Sequence, residues 1–262
     1  MKQKLKFILM LIKMKLTHMM VFRISFFGAF FVDGTMFVIQ LLVFSAIYTQ
    51  IDSIGGWTQG EMIIFIGTFS LINAINMVIY FFGVNDIPSK IINGNLDHYI
   101  TKPINPLLRL TFENINPGSL PLVFVSIGII IYGVSQTGIV ISVTKVVVYI
   151  LLVLIMTVLY YDVELILRTI PFFIISATNI TRLEELLVFC MKVPGVLFKG
   201  VFKVLFYFIL PYGIMATIPT QFISGTLTPY GFAYSVLIVI LFTGFTMWFW
   251  NFGLRHYKSV SS

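Results

Sequence analysis

Apolar stretches of about 20 residues alternate with short polar segments along this chain. That length lets an α-helix cross the hydrocarbon core of a bilayer, and the stretches lack the strict alternation of barrel strands. We therefore predict membrane-spanning helices over residues 26–48, 62–84, 119–134, 139–161 and 230–252. One more span, the fifth in chain order, is expected between residues 165 and 197, where charges blur its ends. The pattern predicts an all-α polytopic membrane protein with about six transmembrane helices, forming one domain over residues 1–262.

Residues 1–24 carry an amphipathic pattern that predicts an interfacial helix. Apolar residues recur at helical spacing, at Leu5, Leu9, Ile12, Leu16 and Met19. Lysines flank this stripe and extend towards lipid headgroups while the stripe enters the acyl boundary. A signal peptide is disfavoured, because Lys13 and Lys15 cut the apolar core to about six residues, below the ~7–15 that a signal needs.

The apolar segment over residues 200–225 does not resemble a straight span. Pro211, Gly213 and Pro219 interrupt it, and a proline removes a backbone donor and stops a helix. We predict an outer re-entrant helical hairpin, which enters and leaves the membrane on one side just before the last span.

Composition and charge fix the expected environment and orientation. Of the 262 residues, 58% are hydrophobic and 10% are charged, whereas soluble domains carry about a quarter charged residues. With a cytoplasmic N-terminus and six spans, 12 of the 17 Lys and Arg residues fall on the cytoplasmic side. Both termini are therefore expected in the cytoplasm. The net charge of +7 is assigned to inner loops and anionic headgroups, and no nucleic-acid partner is expected.

Several catalytic and nucleotide-binding motifs are absent from the sequence. It contains no GxxxxGK[ST] loop for ATP phosphates, no HExxH and no GxSxG. His18, His98 and His256 are scattered, and the lone Cys190 cannot form an internal disulfide. Charged residues inside or beside the apolar stretches remain to be explained, namely Asp33, Asp162, Glu164, Arg168, Glu184 and Glu185. We read residues 162–168 as a polar break, and Glu184-Glu185 as the start of a helix at the membrane edge.

A polar loop over residues 86–109 is predicted in the cytoplasm after the second span. Gly94 offers a turn, Asp97 lies at the start of a short helix where the dipole favours an acid, and Pro103 ends that helix. Leu96, Tyr99 and Ile100 are expected to share one face. The loop thus predicts a short amphipathic helix presented to the cytosol.

This loop resembles GxLDxxLx[KR]PxxPL, the hallmark of one ABC-2 type permease family. Ile100 stands where the family has Leu, and the matching residues are Gly94, Leu96, Asp97, Lys102, Pro103, Pro106 and Leu107. Residues 209–225 resemble the family's proline-containing outer segment, and residues 255–259 resemble its arginine-arginine-tyrosine-glutamine-serine ending. Gly56-Trp57-Thr58 also fits the start of the second span, whereas residues 162–192 depart most, by their charge.

The resemblance implies a non-catalytic permease subunit of an ATP-driven transporter in the bacterial plasma membrane, and most characterised ABC-2 systems export. It implies that 94–107 is a coupling helix that docks on a separate ATPase, through Gly94, Leu96, Asp97, Tyr99, Ile100, Lys102 and Pro103. An ATPase dimer would hold ATP and Mg²⁺, with no cofactor in this chain. A second permease chain, identical or different, is also expected. Residues 200–225, with Pro211 and Pro219, would gate the path on the outer side.

Two other functions stay open from the sequence. A proton-coupled secondary transporter would use Asp33, Asp162 or Glu164, since intramembrane carboxyls often carry protons. An intramembrane enzyme would use Glu184-Glu185, although no histidine lies between His98 and His256 to hold a metal with them. Neither function explains the 94–107 motif. The sequence does not identify the cargo.

Overall fold

The computed structural model describes residues 10, 13, 14, 17, 23–174 and 177–257. These residues form helices and turns, and their one β feature is an isolated bridge between Ile54 and Trp57. The interfacial helix predicted for residues 1–24 falls almost wholly outside the described residues, as does the side chain of Asp33. The expected all-α architecture is confirmed.

Thirteen α-helices make up the described chain. In order they are α1 (Arg23–Tyr48), α2 (Gln59–Ile79), α3 (Phe81–Asn85), α4 (Ile87–Ile92), α5 (Asp97–Ile100), α6 (Pro106–Phe112), α7 (Leu120–Thr137), α8 (Val143–Thr169), α9 (Ala177–Met191), α10 (Gly200–Val204), α11 (Tyr212–Met215), α12 (Thr217–Ser224) and α13 (Pro229–His256). Single 3₁₀ turns lie at Pro117–Ser119, Ile170–Phe172 and Gly195–Leu197, and a π turn lies at Leu205–Ile209.

Local chemistry sets where the long helices begin and end. Thr58 and Glu61 form a capping box at α2, in which the Thr58 N–H donates to Glu61 Oε2 at 2.8 Å. Gly138 follows α7 with a φ of +65°, a left-handed conformation that suits glycine. Ser142 then caps α8 by accepting from the N–H of Lys145 at 3.2 Å. The polar residues between apolar stretches are therefore the residues that cap helices.

Four described helices are long and apolar enough to cross a membrane: Gln59–Ile79, Pro117–Thr137, Val143–Phe172 and Pro229–His256. They coincide with the predicted second, third, fourth and last spans, and α1 covers the predicted first span. The bent pair Gly200–Ile209 and Tyr212–Ser224 adds a fifth candidate if it counts as one span. The chain is therefore a multi-pass membrane protein.

The polar break predicted after residue 161 is wrong. α8 continues through Asp162, Glu164 and Arg168 to Thr169, and all three side chains are buried. Each of these residues has a polar partner on another part of the chain, as described below, so they do not force the helix to end. Glu184 and Glu185 likewise do not start a helix, because α9 begins at Ala177.

α9 occupies the region of the predicted fifth span but is short for one. Its 15 residues extend about 22 Å at 1.5 Å per residue, whereas the hydrocarbon core is about 30 Å thick. The chain just beyond it contacts α1 and the connection between α1 and α2. The Gln40 side-chain amide donates to the Lys192 carbonyl at 3.3 Å, and Val196 and Leu197 pack against Gly55. α9 thus leads from the end of α8 towards the opposite end of the bundle.

Glycines let α2 and α7 pack closely at the centre of the fold. A Cβ at Gly133 would lie 2.8 Å from the Ile64 backbone nitrogen, and one at Gly67 would lie 2.9 Å from that of Ile130. Small residues permit this approach between membrane helices, where packing rather than water exclusion drives association. α2 is accordingly the most buried of the long helices.

The 200–225 segment is bent as expected. Its two halves, Gly200–Ile209 and Tyr212–Ser224, meet at 78° with Pro211 at the break. Pro219 lies in the first turn of α12. Backbone N–H groups in the first turn have no acceptor within the helix, so a proline there costs no helical hydrogen bond. A re-entrant hairpin fits this bend, and its outer location stays a prediction.

Candidate functional site

Residues 86–113, hereafter the 86–113 segment, fold into a compact unit between α2 and α7. Its short helices α4, α5 and α6 enclose a small apolar cluster with the ends of α8 and α13. The members of this cluster are buried, and they are Tyr80, Val84, Ile87, Ile91, Leu96, Leu107, Leu110, Leu165 and Trp250. The segment is therefore attached to two membrane-spanning helices and is not a free loop.

An ion-pair network holds the segment together beside this cluster. Glu113 is its centre, since Lys90 Nζ lies 2.8 Å from Glu113 Oε1, the Tyr99 hydroxyl donates to the same oxygen at 2.6 Å, and Arg109 Nε lies 3.6 Å from Glu113 Oε2. Asp86 lies 3.5 Å from Lys90. The Lys90 and Glu113 side chains are each 15% exposed, so solvent screens this pair less than a surface pair.

Tyr99 connects the charges of the network. The Lys90 ammonium lies 5.4 Å from its ring centroid and the Arg109 guanidinium lies 4.6 Å from it, both within cation–π range. Burial raises the pKa of the Tyr99 hydroxyl, and the hydrogen bond to Glu113 raises it further. Burial alone would lower the pKa of Lys90, but the hydrogen bond and charge of Glu113 outweigh it and raise that pKa. Lys90 therefore stays charged at neutral pH, and its stabilising effect is lost only as the pH rises through its raised pKa.

The structure separates the residues predicted to share one face. Gly94 takes a φ of +71°, and the Leu96 N–H donates to the Lys90 carbonyl at 3.0 Å, so the chain turns inward. Leu96 is fully buried and precedes α5, Tyr99 is half-buried in the network, and Ile100 is 43% exposed. The prediction of a shared amphipathic face is therefore wrong, because Leu96 belongs to the core.

Six exposed residues lie on and beside α5, hereafter the rim: Asn95, His98, Ile100, Thr101, Lys102 and Pro103. α5 begins at Asp97 and ends before Pro103, as expected. The residue after α13 lies close by, since Tyr257 packs against the same apolar cluster. Burial and the nearby Asp97 carboxylate raise the pKa of its hydroxyl. Tyr257 also packs edge-to-face on Phe172, which follows α8. The predicted site thus gathers residues from three parts of the sequence.

Lys90, Arg109 and Glu113 support this site, although the sequence alone assigns them no role in it. Their signal is nonetheless present, because Asp86 and Lys90 stand four residues apart, as do Arg109 and Glu113. The bond between Lys90 and Glu113 has no such signal, since 23 residues separate them.

A second cluster of charged residues lies inside the bundle. Asp162, Glu164 and Arg168 on α8 and Glu184 on α9 are each at most 4% exposed. Arg168 forms an ion pair with Glu184. Glu185 is exposed whereas Glu184 is buried, so the two adjacent glutamates do not face one site. No group of three or more His, Cys, Asp or Glu residues in the described ranges could hold a metal ion.

Comparison of the sequence with protein families identifies the family of this chain. The sequence profile described as ABC-2 family transporter protein matches residues 34–261, which is most of the chain. The chain belongs to the ABC-2 transporter family. Comparisons with curated proteins and with solved structures found no match.

Membership of the ABC-2 family confirms the resemblance drawn from the sequence. The protein is a membrane transport component, a permease subunit of an ABC transporter, and such subunits are generally non-catalytic. The family also implies association with an ABC ATPase. Membership of the family favours the role of a permease subunit over a proton-coupled secondary transporter and over an intramembrane enzyme.

Proposed function

We propose that this ABC-2 permease couples to its ATPase through the rim of the 86–113 segment, and that the transporter exports. The observation that carries the proposal is a small exposed rim mounted on a rigid, buried base. Leu96 and the Glu113 network fix the base, while Ile100 and Lys102 at the rim are exposed. An apolar residue flanked by polar ones suits the centre of a protein interface.

The base provides a path for mechanical coupling. Leu165 of α8 and Trp250 of α13 belong to the same apolar cluster as Leu96. Packed cores move as units and do not deform continuously, so a displacement of the rim would be transmitted to both membrane helices. Closure of an ATPase dimer on ATP and Mg²⁺ would then tilt α8 and α13.

The remaining parts of the proposal follow family expectation. Two permease chains, identical or different, would form the path between them, because one chain of about six helices is half of such a pathway. Pro211 and Pro219 would act in an outer gate at the bend of residues 200–225. We place the protein in a bacterial plasma membrane with both termini in the cytoplasm, in keeping with the distribution of Lys and Arg.

The proposal is tested by replacing one rim residue and one matched residue elsewhere. Ile100 and Ile51 are each 43% exposed, and Ile51 lies in the connection after α1, outside the 86–113 segment. We expect Ile100→Asp to abolish co-purification of an ATPase bearing a GxxxxGK[ST] loop, and Ile51→Asp to leave it unchanged. Mass spectrometry of the complex extracted from the native membrane provides the measurement.

Equal recovery of that ATPase with both variants would contradict rim docking. Loss with both variants would do the same, provided that gel filtration shows each variant folded. The same purification identifies the second permease chain and shows whether it is identical to this one. Efflux from vesicles, measured with and without ATP, then tests export.

A further inference from the structure

The cluster inside the bundle contains more carboxyl groups than cations. Asp162, Glu164 and Glu184 are three acids, and Arg168 is the cation among them. The Arg168–Glu184 ion pair accounts for one acid. The ion pairs of the described residues do not include Asp162 or Glu164, although the Arg168 charge acts on Glu164 from the next turn of α8. A buried carboxylate without a cation is strongly disfavoured in a membrane protein, whereas the protonated acid is not.

The hydrogen bonds of the two remaining acids differ. Glu164 Oε1 accepts from the Asn76 amide at 3.0 Å, and its Oε2 is buried without a hydrogen-bond partner. Asp162 Oδ2 accepts from the Thr243 hydroxyl at 2.5 Å, which ties this acid to α13, and its Oδ1 is likewise buried without a hydrogen-bond partner. Glu164 is the acid that shares a helix face with Arg168, because the two are four residues apart on α8.

We propose that Glu164 is a proton-binding site, and that loss of its proton transfers Arg168 from Glu184 to Glu164. In this structure Arg168 pairs with Glu184 across α8 and α9, the arrangement that fits a neutral Glu164. When the Glu164 acid dissociates, its proton passes to solvent, and a second carboxylate then competes for the one guanidinium. Pairing within α8 would leave Glu184 without its cation and loosen α9.

Few other groups around Glu164 change their charge near neutral pH. α8 also contributes Tyr160, α2 contributes Asn76, Tyr80 follows α2 directly, and α11 contributes Tyr212. The Tyr212 hydroxyl is fully buried without a hydrogen-bond partner, and its ring packs edge-to-face on Tyr160. Tyrosines are neutral below about pH 10, so near neutrality the acids and Arg168 are the groups whose charge decides the pairing. Tyr212 also places the bent 200–225 segment against this cluster.

Infrared difference spectroscopy on the full chain in lipid nanodiscs tests the proton site. On a change from mildly acidic to alkaline buffer, we expect the wild type to lose a protonated-carboxyl C=O band. Glu164→Gln, which imitates the protonated acid, should lack that loss. Asp162→Asn is the matched control, because it removes the acid tied to Thr243, and it should keep the band loss assigned to Glu164.

The transfer of Arg168 from Glu184 to Glu164 is tested by measuring the distance between α8 and α9. Spin labels at Val158→Cys and Leu186→Cys, both at exposed positions, report this distance in a Cys190→Ser background. We expect the distance distribution to broaden or shift in alkaline buffer in the wild type, and to keep its acidic form in Glu164→Gln. The proposal would be overturned if the wild-type distance did not change with pH. It would also be overturned if the distance in Glu164→Gln changed with pH as much as in the wild type.

Glu184→Gln gives a second test that does not depend on the folding of Glu164→Gln. With Glu184 neutral, Arg168 should pair with Glu164 in mildly acidic buffer too, so the band of protonated Glu164 should already be absent. Persistence of that band in Glu184→Gln would refute the transfer of Arg168 from Glu184 to Glu164. These measurements need no ATPase, so their failure is distinguishable from failure of rim docking.

Discussion

Replacement of Leu96 by alanine should loosen the 86–113 segment without touching its rim. Leu96 is fully buried among Ile91, Leu107 and their neighbours. Truncation of a buried leucine to alanine costs about 2–5 kcal/mol, through lost transfer free energy and the cavity left behind. Since 1.36 kcal/mol is a factor of ten, local opening should become roughly 30-fold to several thousand-fold more frequent.

Hydrogen exchange measured by mass spectrometry in nanodiscs reports this opening. The Ile100 N–H donates to the Leu96 carbonyl at 3.2 Å and the Thr101 N–H to the Asp97 carbonyl at 3.1 Å, so these amides should exchange faster. Ile100→Ala is the matched control at an exposed position, where a substitution changes stability by about 0.5 kcal/mol or less. Wild-type exchange rates in Leu96→Ala, or equal acceleration in both variants, would show that the segment is not held by its core.

Two further predictions concern the ion-pair network and the centre of the bundle. Glu113→Gln should raise hydrogen exchange in α4 and α6, because the Glu113 carboxylate accepts hydrogen bonds from Lys90 and Tyr99 worth about 1.5–3 kcal/mol each, less some solvent screening, and also pairs with Arg109. Unchanged exchange there would count against the network. Gly133→Leu should lower the thermal unfolding midpoint, since overpacking costs about 1–3 kcal/mol, whereas Gly128→Leu, with open space around its Cβ, should not. Equal midpoints would contradict close packing of α2 on α7.

The membrane helices could be predicted because their signal is local. An apolar stretch of about 20 residues must satisfy its own backbone hydrogen bonds in lipid, whatever lies next to it. The predicted second, third, fourth and last spans accordingly coincide with long helices. The bend in residues 200–225 was also predictable, since the missing N–H of Pro211 acts on the backbone at that position.

The end of α8 could not be predicted because its determinants are distant in sequence. Asp162, Glu164 and Arg168 read as a polar break when seen alone. Their partners are Thr243, Asn76 and Glu184, which stand 81, 88 and 16 residues away from them. Nothing in the local pattern shows that these charged residues find partners inside the bundle.

The 86–113 segment shows the same division between local and distant determinants. Its motif, its turn at Gly94 and its helix start at Asp97 are local, and the sequence shows them. The inward position of Leu96 depends on a turn that precedes α5, so a helical pattern placed it on the wrong side. Its burial also requires Leu165 and Trp250, which the sequence alone does not bring near.

The two sites meet on one helix, and this has a thermodynamic consequence. Leu165, which packs under the rim, is the immediate neighbour of Glu164, which lies beside Arg168. Asp162, on the same turns of α8, is bound to Thr243 of α13, and α13 also carries Trp250 of the base. A shift of α8 driven from the rim would therefore change the surroundings of Glu164. Linkage is reciprocal, so if ATPase docking alters the proton affinity of Glu164, protonation must alter the affinity for the ATPase by the same factor.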